Sequence, residues 1–239
     1  MRVRRSRTLG SALAGPIGVL GLLAASCSSF GATDATTDAT TGGGQSDAST
    51  AEDAAPEAGQ SDAGIKRIFL TKSEYAGDLV SAARATGRYA GDSGLLAADA
   101  LCDLEAEGLP AGRWRAWISV GGSSPVGAIG RFTDTKSPRV SVKTGEIVLQ
   151  RIGSDLTMLV PDSDGKLHPD AGRVWTGTTS QGTLAAPFND APSDCQGWTL
   201  GSGVQVRGAA GDPNDLARWS DRYGGEFCGV RGRLYCLED

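Results

Sequence analysis

Histidine is nearly absent from this chain of 239 residues: His168 stands alone. A single imidazole rules out the paired-histidine zinc helix and every His-rich metal cluster. Cys-x-x-Cys pairs, Gly-x-Ser-x-Gly elbows and Gly-rich phosphate loops are also missing, and with them the common signatures of redox, acyl-transfer and nucleotide chemistry. Asp103, Glu105 and Glu107 share one helical stretch and read as a solvated acidic face, not as catalytic acids. The expectation is a protein that is not an enzyme and carries no cofactor. Long apolar runs are lacking too. The stretch from Leu9 to Leu23 is broken by Gly15 and Pro16 and falls short of the roughly 20 residues that span a bilayer.

That short stretch reads instead as an export signal. Arg2, Arg4, Arg5 and Arg7 precede it, and Leu23-Ala-Ala-Ser-Cys27 follows. The last five residues resemble a bacterial lipobox, with Ala24 where Leu is usual and Ser26 where Gly or Ala is usual. The resemblance implies cleavage after residue 26 and a lipid on Cys27. Acyl chains contribute about 0.8 kcal/mol per buried CH₂, so they would hold the protein to a membrane. The expected location is the cell envelope, lipid-anchored at an outer membrane or cell surface.

Residues 27 to 64 hold one aromatic, no Lys or Arg, and seven acids. So little apolar surface cannot offset chain entropy, and the segment is expected to be a disordered acidic spacer. Beyond it, residues 65 to 239 carry 19 basic and 21 acidic groups, a balance of −2. A nearly neutral domain has no electrostatic footprint for nucleic acid, which is not expected as a partner. Arg113, Arg115, Arg131, Arg139 and Arg151 read as arginines with local carboxylate partners.

About 175 residues suffice for one domain with a core. Lys66 to Thr71 is rich in β-branched and aromatic residues and predicts a strand. Residues 76 to 93 suggest an irregular excursion with a short helix. From Leu95 to Glu107, apolar residues recur at steps of three and four, which predicts a helix capped by Asp92 or Ser93 and ended by Gly108 and Pro110. Cys102 falls on its apolar face. Arg113 to Val120 predicts a second strand carrying both tryptophans of that stretch. Short strands and Gly-rich turns run to the end. With 35 glycines and no long second helix, the class is α+β with an antiparallel, loop-rich sheet.

Export brings the thiols into an oxidising compartment, and four cysteines there allow three pairings. Cys102 lies on the first helix and Cys236 in a terminal strand, with Cys195 and Cys228 between them. A nested arrangement joins Cys102 to Cys236 and Cys195 to Cys228.

Several phrases then carry a resemblance: RIFLT (Arg67 to Thr71), AADALC (Ala97 to Cys102), RAWIS (Arg115 to Ser119), VWTG (Val174 to Gly177), CQGWT (Cys195 to Thr199) and the closing RLYCLE (Arg233 to Glu238). In this order they resemble the C-type lectin-like fold. More narrowly, they resemble a bacterial lipoprotein family of unknown function with an endostatin-like variant of that fold. The resemblance implies nested disulfides and a ladder between the first and last strands, Ile68 to Thr71 beside Leu234 to Leu237. It also implies a binding module. Sugar-binding members of the fold hold calcium through a Glu-Pro-Asn loop and a Trp-Asn-Asp strand. Here Trp219-Ser220-Asp221 matches the strand with Ser220 in place of the amide. The loop from Ala186 to Asp194 offers Asn189, Asp190 and Asp194 without the tripeptide. Calcium takes six to eight oxygens, so this set is too small, and calcium is not expected. Asp162-Ser-Asp-Gly165 and Asp212-Pro-Asn-Asp215 read as turns.

The functional expectation is a surface-displayed module for an extracellular or envelope glycan or protein. Its contact face would be the loops 120 to 139 and 178 to 194, with Asn189, Asp190, Asp194, Trp219 and Asp221 as binding residues. A structural envelope lipoprotein without a dedicated ligand is the alternative, and an unrecognised hydrolase ranks below both.

Overall fold

Strand β1 (Lys66–Leu70) runs through the middle of the principal sheet, because Ile68, Phe69 and Leu70 make it apolar on both faces. The computed structural model describes residues 64–188, 193–203 and 206–239. The expected signal peptide, Cys27 and the spacer up to residue 63 lie outside the described residues, as do Asn189 and Asp190. Helix α1 (Leu79–Ala85) occupies the excursion after β1, with the Asp78 carboxylate accepting the Ser81 amide at 2.8 Å as its cap. Helix α2 (Gly94–Glu105) follows, capped by Ser93, and its buried stripe includes Ala97, Ala98, Leu101 and Cys102. Three short strands come next: β2 (Trp114–Ala116), β3 (Arg139–Ser141) and β4 (Ile147–Leu149). The first of these is shorter than the expected Arg113 to Val120. Beyond it the chain crosses between sheets, as the Trp117 amide bonds the Tyr235 carbonyl (2.9 Å) and the Ser119 amide the Thr176 carbonyl (2.8 Å).

The principal sheet has the order β2-β8-β1-β3-β4, with β8 (Tyr235–Glu238) closing the chain against β1. Ile68 faces Leu237, Phe69 faces Cys236 and Leu70 faces Tyr235, so the first and last strands pair antiparallel. One pair departs from the antiparallel expectation: β1 and β3 run parallel, with Lys66 beside Arg139. The long excursion through both helices and β2 lets the chain return in that direction. A second, antiparallel sheet contains β5 (Val174–Trp175), β6 (Arg207–Gly211) and β7 (Tyr223–Phe227).

The core divides on the two faces of β1 and β8. Phe69 and Cys236 point to a cluster with α1, α2 and Trp114, while Ile68, Leu70, Tyr235 and Leu237 point to one built on Trp117 and Trp219. This is the period-two alternation of a sheet covered on both sides. Both disulfides are nested as expected. Cys102–Cys236 ties α2 to β8 across a separation of 134 residues, and Cys195–Cys228 spans 33. Two disulfides mark an oxidising, extracytoplasmic setting. Among the described residues no helix is long and apolar enough to cross a membrane.

Candidate functional site

The helical turn α3 (Cys195–Trp198) sits where the expected contact loops meet, and it is left-handed. Cys195, Gln196, Gly197 and Trp198 have φ of 49°, 55°, 69° and 63°. Three of the four carry a Cβ, which a left-handed turn brings against the following carbonyl at about 1–2 kcal/mol per residue. Several contacts hold the turn in place. Cys195 is fixed by its disulfide, and the Trp198 indole donates to the Ser119 carbonyl at 2.8 Å. Gly94 at the start of α2 packs so closely that a Cβ there would lie 2.0 Å from the Gly197 carbonyl oxygen.

Asp194, just before this turn, is 2% exposed. Its Oδ2 accepts the Gly121 amide at 2.7 Å, while Oδ1 is buried without a hydrogen-bond partner among the described residues. The loop it holds is closed by reciprocal backbone bonds between Val120 and Val126, at 2.9 and 2.8 Å. Two depressions share this loop. One, of about 350 Å³, is lined by Gly121–Ser124, Asp194, Gln196 and Gly197. The other, of about 460 Å³, is lined by Pro125, Val126, Ile129, Leu184 and neighbouring glycines. Below them Ser119 ties the loops to the sheets: its hydroxyl pairs with Thr178 at 2.7 Å and accepts the Ala128 amide at 2.9 Å.

The expected binding residues are dispersed. Trp219 is fully buried, stacked on Trp117 at 5.4 Å between centroids and edge-on to Tyr235 at 5.1 Å, so it offers no face to a ligand. Trp175 and Trp198 are buried as well. Ser220 points inward, accepting the Trp117 indole at 2.8 Å, and Asp221 next to it is exposed. The chain bends through these residues before β7, which leaves Trp219 and Ser220 inside and Asp221 in solvent. Among the described residues no cluster of three or more acidic, histidine or cysteine side chains could hold a metal ion.

The other polar groups serve the scaffold. Asp212 and Asp215 share Arg222, at 2.6 and 3.3 Å. Asp162 accepts the Asp164 and Lys166 amides and meets His168 Nε2 at 2.7 Å. Burial pushes its carboxyl up, but the His168 contact and the two amides outweigh that and leave it below the ordinary value. Of the five arginines, Arg113 and Arg115 face Asp239, Arg131 forks onto Asp99, Arg139 is buried against the Ser137 and Asp134 carbonyls, and Arg151 is exposed with no carboxylate partner among the described residues. Glu105 was expected on a solvated face. It is instead 8% exposed and accepts the Lys72 and Ser73 amides and the Tyr75 hydroxyl, which anchors the turn after β1.

Sequence reasoning reached Asp194 but had no signal for its neighbours. Gly121, Gly122 and the serines after them carry no motif, and only the fold brings them to Asp194. The glycine of CQGW was the one visible hint of a backbone with positive φ. Compared with known proteins, the chain matches no protein-family model and no curated relative.

Proposed function

We propose that the protein is an exported lipoprotein, lipidated at Cys27, whose domain from residue 65 to 239 is a C-type lectin-like module that binds an envelope or extracellular glycan or protein. The ladder joining the first and last strands and the nested bridges support that fold reading. One observation carries the binding reading: two depressions flank the loop at Gly121–Pro125, on a surface pinned by a disulfide and a strained turn. Ligand contacts on loops over a rigid scaffold suit such a module.

The test uses the mature lipoprotein in detergent, applied to a glycan array and to cell-envelope extracts. A reduced and denatured sample serves as control. Saturable capture, weakened by substitutions at Ser124 or Val126, is the expected result. Capture no stronger than the control's would leave the structural-lipoprotein reading in its place.

A further inference from the structure

The chain from Val120 to Gly130 and from Thr178 to Phe188 contains no charged residue. Asp194 is therefore the sole charge lining either depression among the described residues, and it enters no ion pair there. A carboxylate taken out of water with one oxygen unpaired carries an unmet desolvation cost. A cation arriving from outside meets that need without displacing an internal partner. Asp194 is itself 2% exposed, although Gly122, Ser123, Ser124 and Gln196 lining the depression are exposed, so the attraction is stronger than between two open-surface charges.

We infer that this face binds a protein segment that places a lysine ammonium on Asp194 and an adjoining aliphatic side chain in the apolar depression beside it. The inference rests on the binding-module reading. Lysine fits better than arginine, because a compact ammonium on a flexible stem passes the side-chain-free Gly121, Gly122 and Gly197, whereas a planar guanidinium is broad. The second depression selects a peptide over an amino sugar. Its walls are Pro125, Val126, Ile129 and Leu184, which complement a hydrocarbon side chain.

The test is an NMR titration of the isotope-labelled mature chain with acetyl-Leu-Lys-Leu-amide, and with the same peptide acetylated on the lysine Nε. Saturable shifts are expected at the Gly121, Gly122 and Gly197 amides and at the Val126 and Leu184 methyls. Acetylation should weaken binding at least tenfold. Asp194→Asn should do the same while its side-chain oxygen still accepts the Gly121 amide. Ser124→Lys, at an exposed position, supplies a tethered ammonium and should also weaken the peptide at least tenfold with the melting temperature unchanged. Equal binding of the acetylated peptide, or no effect of Asp194→Asn, would overturn the inference. So would glucosamine oligomers binding the same amides more tightly than the peptide. Neutral glycans binding this face would end the lysine inference and leave the binding module standing. A face that responds to neither glycan nor peptide would end both.

Discussion

The left-handed turn makes a prediction whose sign is the reverse of the ordinary rule. Gln196 has φ and ψ of 55° and is exposed, so its replacement removes no packing. Gln196→Gly relieves about 1–2 kcal/mol of left-handed strain and gives back roughly 0.5–1 kcal/mol through the freer unfolded chain. The net is a stabilisation of about 0.5–1 kcal/mol. Gly197→Ala is the mirror experiment. The nearest atom to its new Cβ would be Val120 Cγ2 at 3.9 Å, so there is no clash, only the conformational penalty. Its expected cost is about 0.5–1 kcal/mol by the same two terms. For a domain of this size each kcal/mol moves the melting temperature by about 2–4 °C, which calorimetry resolves. In a right-handed helix both signs would invert, since Gly there is about 1 kcal/mol worse than Ala. A destabilising Gln196→Gly together with a stabilising Gly197→Ala would refute the handedness, and with it the geometry that brings Asp194 to Gly121.

Replacing Cys102 and Cys236 by Ala should destabilise by up to about 5 kcal/mol, and replacing Cys195 and Cys228 by up to about 4, from loop closures of 134 and 33 residues. Urea denaturation of the two double variants checks that order. Acid should unfold the domain as pH falls from about 4 towards 2. Asp134 is lowered to about 2 by the Ser137 side chain and the Ser137 and Lys136 amides, while Asp162, Glu238 and Asp239 also lie below their ordinary values. A depressed folded pKa gives stability that is present above the ordinary carboxylate range and lost as each group takes up its proton. Asp103, raised by burial, works the other way but is outnumbered. A denaturation midpoint unchanged between pH 5 and 2 would contradict this. Cys27→Ala should move the mature protein from the detergent phase to the aqueous phase on phase separation and abolish incorporation of a labelled fatty acid.

What could be read in advance follows from where the physics is local. Ile68–Leu70 and Tyr235–Leu237 are apolar on both faces of their strands, so their burial follows from composition, whereas Arg67 and Glu238 at the strand ends are held by their ion pair. Helix α2 shows its periodicity because its buried stripe contains Leu101 and Cys102. Helix α1 is fainter: LVSAARA buries only Leu79, Val80 and Ala83, too few apolar residues to stand out from a Gly- and Ala-rich stretch. Glu105 was misread because its partners are backbone amides of residues 72 and 73, which no side-chain pattern announces. Trp219 and Asp221 were grouped by the resemblance of Trp219-Ser220-Asp221 to a Trp-Asn-Asp strand, but the chain bends there, with Trp219 and Ser220 buried and Asp221 in solvent.

Asp194 shows why the remaining part was not legible. Its chemistry depends on what is missing around it, and an absent partner leaves no mark in a linear sequence. Among the described residues Oδ1 stays without a partner, because the two depressions are lined by Gly, Ser, Thr, Gln, Pro and aliphatic residues and by no basic group. An unmet charge of this kind persists only where the surrounding structure holds it in place. That constraint comes from the Cys195–Cys228 bridge, the buried Trp198 and the close approach of Gly94. Stapling and strain therefore concentrate at the same end of the molecule as the unpaired oxygen.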